Sequence, residues 1–158
     1  MRRFLIHISN INVKAPLFMA KAAASILPSP GGRIIFFSSS LTAASTVTPN
    51  ALYYLATKGA IEKISRMLAK DLGGRGITVN TILPGPVDAP WQLREGKTQS
   101  NPSRRLGEPD DIASIVAFLG SQAAQWITGQ NIRINGTLVG SQFCHDTVVE
   151  AASRSTAS

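Results

Sequence analysis

Tyr54 and Lys58 stand four positions apart in the stretch "ALYYLATKGAIEK". On a helix that spacing puts both side chains on one face, a turn from each other. A phenol gives up its proton only near about pH 10, and an ammonium beside it favours the phenolate. Such a pair can hand a proton to a carbonyl oxygen or take one from an alcohol. It can equally be two ordinary surface residues. Ser40 closes a serine triplet, 38–40, that follows the run "RIIFF". A serine hydroxyl there could hydrogen-bond the same substrate oxygen and fix its position, although serines after a strand also serve turns. Cys144 is the only cysteine, so an internal disulfide is excluded and cysteine-based metal spacings are absent. Cys144 and His145 lie in a polar tail, and His7 has no nearby partner, so no metal site is expected.

The charge balance narrows the classes further. The 158 residues carry a formal net charge of +7. The excess lies before residue 71, where Arg2, Arg3, Lys14, Lys21, Arg33, Lys58, Lys63, Arg66 and Lys70 face only Glu62. These charges are dispersed, without aromatic interleaving, and read as solvated faces rather than a nucleic-acid surface. No apolar run is long enough to span a bilayer. The basic start, "MRRFLIHISNINVK", fits an organelle presequence in composition but reads better as part of the fold, and a cytoplasmic location is the default.

The elements that must position the chemical residues alternate along the chain. Residues from about 12 to 27 have helical spacing, with Leu17, Ala20, Ile26 and Leu27 on a shared face. "PSPGG" ends that segment, and "RIIFFSSS" reads as a buried strand. Residues 51–72 repeat apolar side chains at Leu52, Ala56, Ala60, Ile64, Leu68 and Leu72, with Asn50 as a candidate cap and the glycines at 73–74 as a stop. "GITVNTILPGP" is strand then turn, and Ile77, Thr78, Val79 and Asn80 read as packing residues. "EPDDIASIVAFLG" is a helix opened by Pro109 and acids, and "NIRIN" is a last strand. This order predicts an α/β fold of about three parallel strands and three main helices, joined by right-handed crossovers. The folded part is expected over 1–136, with 137–158 a frayed tail. In such a sheet, ligands collect at the carboxyl ends of the strands, which would bring Ser40 and Tyr54 to one crevice.

Taken together, these pieces resemble the short-chain dehydrogenases/reductases. "NVKAPLF" is similar to that family's Asn-bearing helix start, "GGRIIFFSSS" to its serine strand, and "YLATKGAIE" to its Tyr-x-x-x-Lys helix. "RGITVNTILPGPVDAP" is similar to the strand and Pro-Gly turn beside the nicotinamide, and "GEPDDIASIVAFLGS" and "WITGQNIRING" to the final helix and strand. The resemblance covers roughly residues 12–136. It implies an NADP- or NAD-dependent oxidoreductase, with NADP placed first, that reduces a small-molecule carbonyl or oxidises a secondary alcohol. By motif, Tyr54 is the general acid/base and Lys58 tunes it and binds the nicotinamide ribose. Ser40 orients the substrate oxygen, with Ser39 second. Asn12 holds a water in the proton relay, the alternative for it being a helix N-cap. Pro84, Gly85 and Val87 flank the cofactor.

Departures from the family pattern are equally informative. The Gly-rich turn that cradles the dinucleotide pyrophosphate is missing, so the chain reads as the carboxyl half of a doubly wound, Rossmann-type fold. Ala89 stands where the family usually has a cofactor-contacting threonine, and the polar stretch from Trp91 to Arg105 reads as a shortened lid. The strand at 33–38 should keep an open edge that invites association. The helices at 12–27 and 51–72 resemble those through which the family dimerises, which implies a homo-oligomer. Two functions therefore compete: a ketoreductase-like oxidoreductase that needs the rest of the fold, and a non-catalytic remnant that binds a partner through those helices.

Overall fold

The computed structural model describes residues 2–44, 51–88, 103 and 105–136. The chain opens with helix α1 (Arg2–Ser9), a π-helical turn (Asn10–Lys14) and helix α2 (Ala15–Ile26). Ser9 and Lys14, at the two joints, both keep right-handed helical dihedrals, so the three pieces form one rod. The helix thus begins ten residues before the position that spacing suggests, at Arg2 rather than Asn12. Among the described side chains of α1, Leu5 and Ile8 are drawn in from solvent. Asn12 lies inside the rod, which removes its N-cap alternative.

Strand β1 (Arg33–Phe37) follows, then a 3₁₀ turn (Ser40–Ala43), helix α3 (Leu52–Gly73) and strand β2 (Thr78–Pro84). Helix α4 (Pro109–Gly120), a short 3₁₀ turn and strand β3 (Asn131–Ile134) complete the order. The glycines at 73–74 do end α3, but the left-handed turn is taken by Gly76 at φ 64°. A Cβ there would also sit 2.8 Å from the Pro30 ring. The three strands are parallel in the order β1-β2-β3, with Ile34 beside Val79 and Ile82 beside Ile132. The central strand β2 is buried along nearly its whole length, as a parallel strand covered on both faces must be.

The pleat divides the core. Phe36 and Val79 meet Ala20 of α2 with Ile61 and Ala69 of α3 on one face. Ile82 meets Leu119 of α4 and Ala124 on the other, with Ile35, Ile115 and Ile132 around them. Both crossovers step the same way across the sheet, yet α3 and α4 lie on opposite faces, so the two connections have opposite hands. The expectation of right-handed crossovers throughout therefore fails for one of them. The long link from 85 to 108 between β2 and α4 relaxes the tight-connection geometry behind that rule. Asn50, Ala89, most of the polar stretch from Trp91 to Arg105, Cys144, His145 and the expected tail over 137–158 lie outside the described residues.

Candidate active site

The carboxyl end of β1 runs straight into the serine triplet. Ser38 extends the ladder, its amide donating to the Ile82 carbonyl at 2.9 Å. The Ser38 hydroxyl lies 2.7 Å from Glu62 Oε1 and 3.2 Å from the Lys58 carbonyl, which ties the strand end to α3. Ser39, still extended, caps the 3₁₀ turn by accepting from the Leu41 amide at 3.3 Å. Ser40 opens that turn and is only 1% exposed, the most enclosed of the three. Ser38 and Ser39 thus hold structural bonds that shape the strand-to-helix corner, and the corner packs against α3.

Tyr54 sits in the first turns of α3 and stays 38% exposed. Lys58, one turn on, places Nζ 5.7 Å from the Tyr54 ring centroid, within reach of a cation–π attraction. The same ammonium donates to the Phe37 carbonyl at 3.1 Å. Partial burial pulls the Lys58 pKa below the ordinary lysine range, because the charged form loses hydration. The pair therefore shares one helix face at the carboxyl edge of the sheet.

Asn12 lies in the π turn and donates from Nδ2 to Thr57 Oγ1 at 3.0 Å. Thr57 in turn donates to the Tyr54 carbonyl at 2.7 Å. This relay fixes the start of α3 against the α1–α2 rod. Pro16 has no amide hydrogen, so the Asn12 carbonyl, four residues earlier, lacks its usual α-helical donor. Single π turns of this kind are common at functional sites.

The turn after β2 reaches the same edge. Gly85 donates to the Ile134 carbonyl at 2.8 Å. A Cβ on Gly85 would lie 2.7 Å from the Asn135 Cα, so close backbone packing alone accounts for the glycine. Val87 is half-buried and pairs with Gly107, fastened by the Asp88 amide on the Gly107 carbonyl at 2.7 Å. Pro84, Gly85 and Val87 thus lie in the turn that follows β2 at the carboxyl edge of the sheet.

Two residues of structural weight are not singled out by sequence reading. Glu62 accepts at Oε1 from Ser38 and from Thr42, the latter at 2.6 Å, and at Oε2 from Asn131 at 2.9 Å. It clamps β1, the 3₁₀ turn and β3 onto α3. Its isolation as the sole acid before residue 71 was the available signal. Thr57, buried between Asn12 and Tyr54, left none. Asn80 behaves as expected of a packing residue, donating to the Ile127 carbonyl at 2.7 Å and accepting from the Gln130 amide at 3.1 Å. Farther off, Arg105 holds Asp111 by two bonds of 2.6 and 2.9 Å. With the Glu108 amide, it drops the Asp111 carboxyl to about 2. Among the described residues no cluster of His, Cys, Asp or Glu could hold a metal ion, and no helix is long and apolar enough to cross a membrane.

Comparison with known proteins bears on this arrangement. Residues 4–138 match the family described as "Enoyl-(Acyl carrier protein) reductase". The chain is 39% identical over 138 residues to a short-chain type dehydrogenase/reductase of Picea abies, covering 82% of this chain and 50% of that protein. It is 39% identical over 137 residues to the chloroplastic NADPH-dependent aldehyde reductase 2 of Arabidopsis thaliana, again 82% of this chain and 50% of the relative. The crystal structure of the angucycline C-6 ketoreductase LanV with bound NADP superposes with a TM-score of 0.81 at 39% identity, covering 89% of this chain and 56% of that one. The chain spans about half the length of the curated relatives it matches. By the match over residues 4–138 and the shared parallel-sheet architecture, the chain belongs to the short-chain dehydrogenase/reductase family.

Proposed function

We propose that the chain carries the proton-handling half of an NAD(P)(H)-dependent carbonyl reductase, acting in reverse on secondary alcohols. The observation that carries this reading is the Lys58 ammonium 5.7 Å from the Tyr54 ring at the carboxyl edge of the sheet. Tyr54 gives its phenolic proton to the substrate oxygen as negative charge develops there. Lys58 stabilises the phenolate that remains and offers a donor to a ribose hydroxyl. Ser40 donates to the same substrate oxygen and holds it in line. Asn12 holds a water that passes a proton on towards Lys58.

The residues fit the nicotinamide end of the cofactor: an amine, a phenol and a Pro84–Gly85–Val87 turn share one edge. A reduced nicotinamide bound there would supply the hydride that the chain's own side chains cannot. Among the described residues no Gly-rich strand-to-helix turn exists for the pyrophosphate. NADP is the favoured partner, since the LanV structure and the Arabidopsis relative are both described with NADP or NADPH. The keto-reduction named for LanV favours a polyketide-like ketone as the substrate class.

The test joins this chain to the amino-terminal half of LanV and follows NADPH consumption with a panel of aldehydes and quinones. Turnover is expected, with Tyr54→Phe lowering kcat by about 10²-fold or more and Ser40→Ala by less. Full turnover by the Tyr54→Phe protein would overturn the role assigned to the phenol. The open side of β1 supports a second reading, a non-catalytic partner-binding chain. It predicts firm association with a relative and no turnover in the joined protein.

A further inference from the structure

Three buried oxygens between α3 and the sheet take no part in the bonds described above. Ser65 Oγ, Thr81 Oγ1 and Asn131 Oδ1 are shut off from solvent and have no hydrogen-bond partner among the described residues. Ser65 and Thr81 are buried completely. A buried hydroxyl or amide oxygen without a partner is costly, and native folds leave few of them.

The topology gathers the three. Val79 packs with Phe36 against α3, so Thr81, two residues along β2, faces the same helix. Thr81 is the ladder partner of Phe36 on one side and of Asn131 on the other. Asn131 is turned to α3 as well, since its Nδ2 reaches Glu62 Oε2 at 2.9 Å. Ser65 follows Glu62 by three residues and lies on the next turn of that helix face. It stands between Ile61 and Ala69, which both pack on the sheet. One amide oxygen and two hydroxyls therefore share the layer of the Glu62 carboxylate.

Their chemistry selects the guest. Asn131 Oδ1 can only accept, whereas each hydroxyl can give or take a hydrogen bond. The guest must donate to the amide oxygen, and it must be small, because none of the three atoms opens to solvent. A water molecule meets both conditions, and buried waters typically make about three hydrogen bonds of this kind. A cation fits less well. The carboxylate that would balance its charge already accepts Ser38 and Thr42 at Oε1 and Asn131 at Oε2.

We infer that Ser65, Thr81 and Asn131 form a binding site for one structural water between α3, β2 and β3, and that this water fixes the Asn131 amide with its nitrogen towards Glu62. With Oδ1 held by the water, Nδ2 is committed to the carboxylate, and the carboxylate to the two hydroxyls of the serine corner. The site is then the buried end of a polar chain that runs through Asn131 and Glu62 to Ser38 and Thr42. It rests on no part of the reaction proposed above.

Oxygen-17 relaxation dispersion of the 158-residue chain counts long-lived internal waters and is blind to hydroxyl protons. Ser65→Ala with Thr81→Val should lower the dispersion step by one water, while Thr81→Ser keeps a hydroxyl and should keep the step. Thr81→Val alone decides by sign, and it needs no folded double variant. A hydroxyl bound to a water is missed when a methyl of the same shape replaces it, so the unfolding constant should rise about fivefold. A hydroxyl with no guest is a burden, and its removal would lower that constant. The Asn131 side-chain amide protons should exchange severalfold faster in Thr81→Val. Unchanged exchange overturns the fixing of the amide and leaves the water site standing. An undiminished step in the double variant, or a Thr81→Val chain more stable than its parent, overturns the site. Stability that follows sodium or potassium at fixed ionic strength in the parent, and not in Thr81→Val, places a cation there and overturns the water.

Discussion

Charge placement at single residues gives the sharpest expectations. Asp111 holds its proton only below about 2, first through the Arg105 hydrogen bonds and then through the Glu108 amide. A carboxyl depressed below its ordinary 3.8 adds stability that is complete above that value and is lost as pH falls towards about 2. A carboxyl-carbon titration should find that low midpoint, and Arg105→Ala should move it upward. Lys58 gives a rise with pH as well, from a different cause. Its pKa is lowered from 10.5 by burial, so the folded chain binds fewer protons than the unfolded chain just below that value. Stability at this site should therefore rise with pH from the folded pKa up to 10.5. Lys58→Met should remove that rise from the denaturation profile. The phenol, the amine and the serine were legible as residue types at set spacings. The relay Asn12–Thr57–Tyr54 was not, because Asn12 and Thr57 lie 45 positions apart and meet only when the rod packs on α3.

Between elements, Glu62 is the main polar fastening. It accepts from Ser38, Thr42 and Asn131, which belong to three different segments. Glu62→Ala leaves the buried Ser38 hydroxyl without its carboxylate and should cost about 2–3 kcal/mol in chemical denaturation. Glu62→Gln keeps one acceptor oxygen but turns an amide towards the Asn131 amide, so an intermediate loss is expected. Helix periodicity marked α3 and α4 well because each buries a broad apolar stripe against the sheet. α1 was not marked, although its charged and apolar residues do segregate at helical spacing. Crossover handedness was also beyond periodicity, since the face that α4 covers depends on how the long link from 85 to 108 travels.

For the whole molecule, the surface left open is the governing fact. Ile26, Leu52 and Met67 are 84%, 66% and 55% exposed on α2 and α3, the two helices expected to pair with another copy. A dimer is the expected mass in light scattering at micromolar concentration. Leu52→Glu with Met67→Glu should shift it to monomer. A monomer in the parent chain would set that expectation aside.

What the sequence by itself determined is the alternation of elements, the parallel α/β class and the family. These follow from local periodicity and from short motifs whose spacing survives without coordinates. Only the tertiary structure decided that Lys58 rests on the Phe37 carbonyl, that Glu62 joins three segments, and that oxygens of Ser65, Thr81 and Asn131 gather between α3 and the sheet. Each depends on contacts between residues far apart in the chain, which are fixed by packing and by the pleat of the sheet rather than by neighbours in sequence.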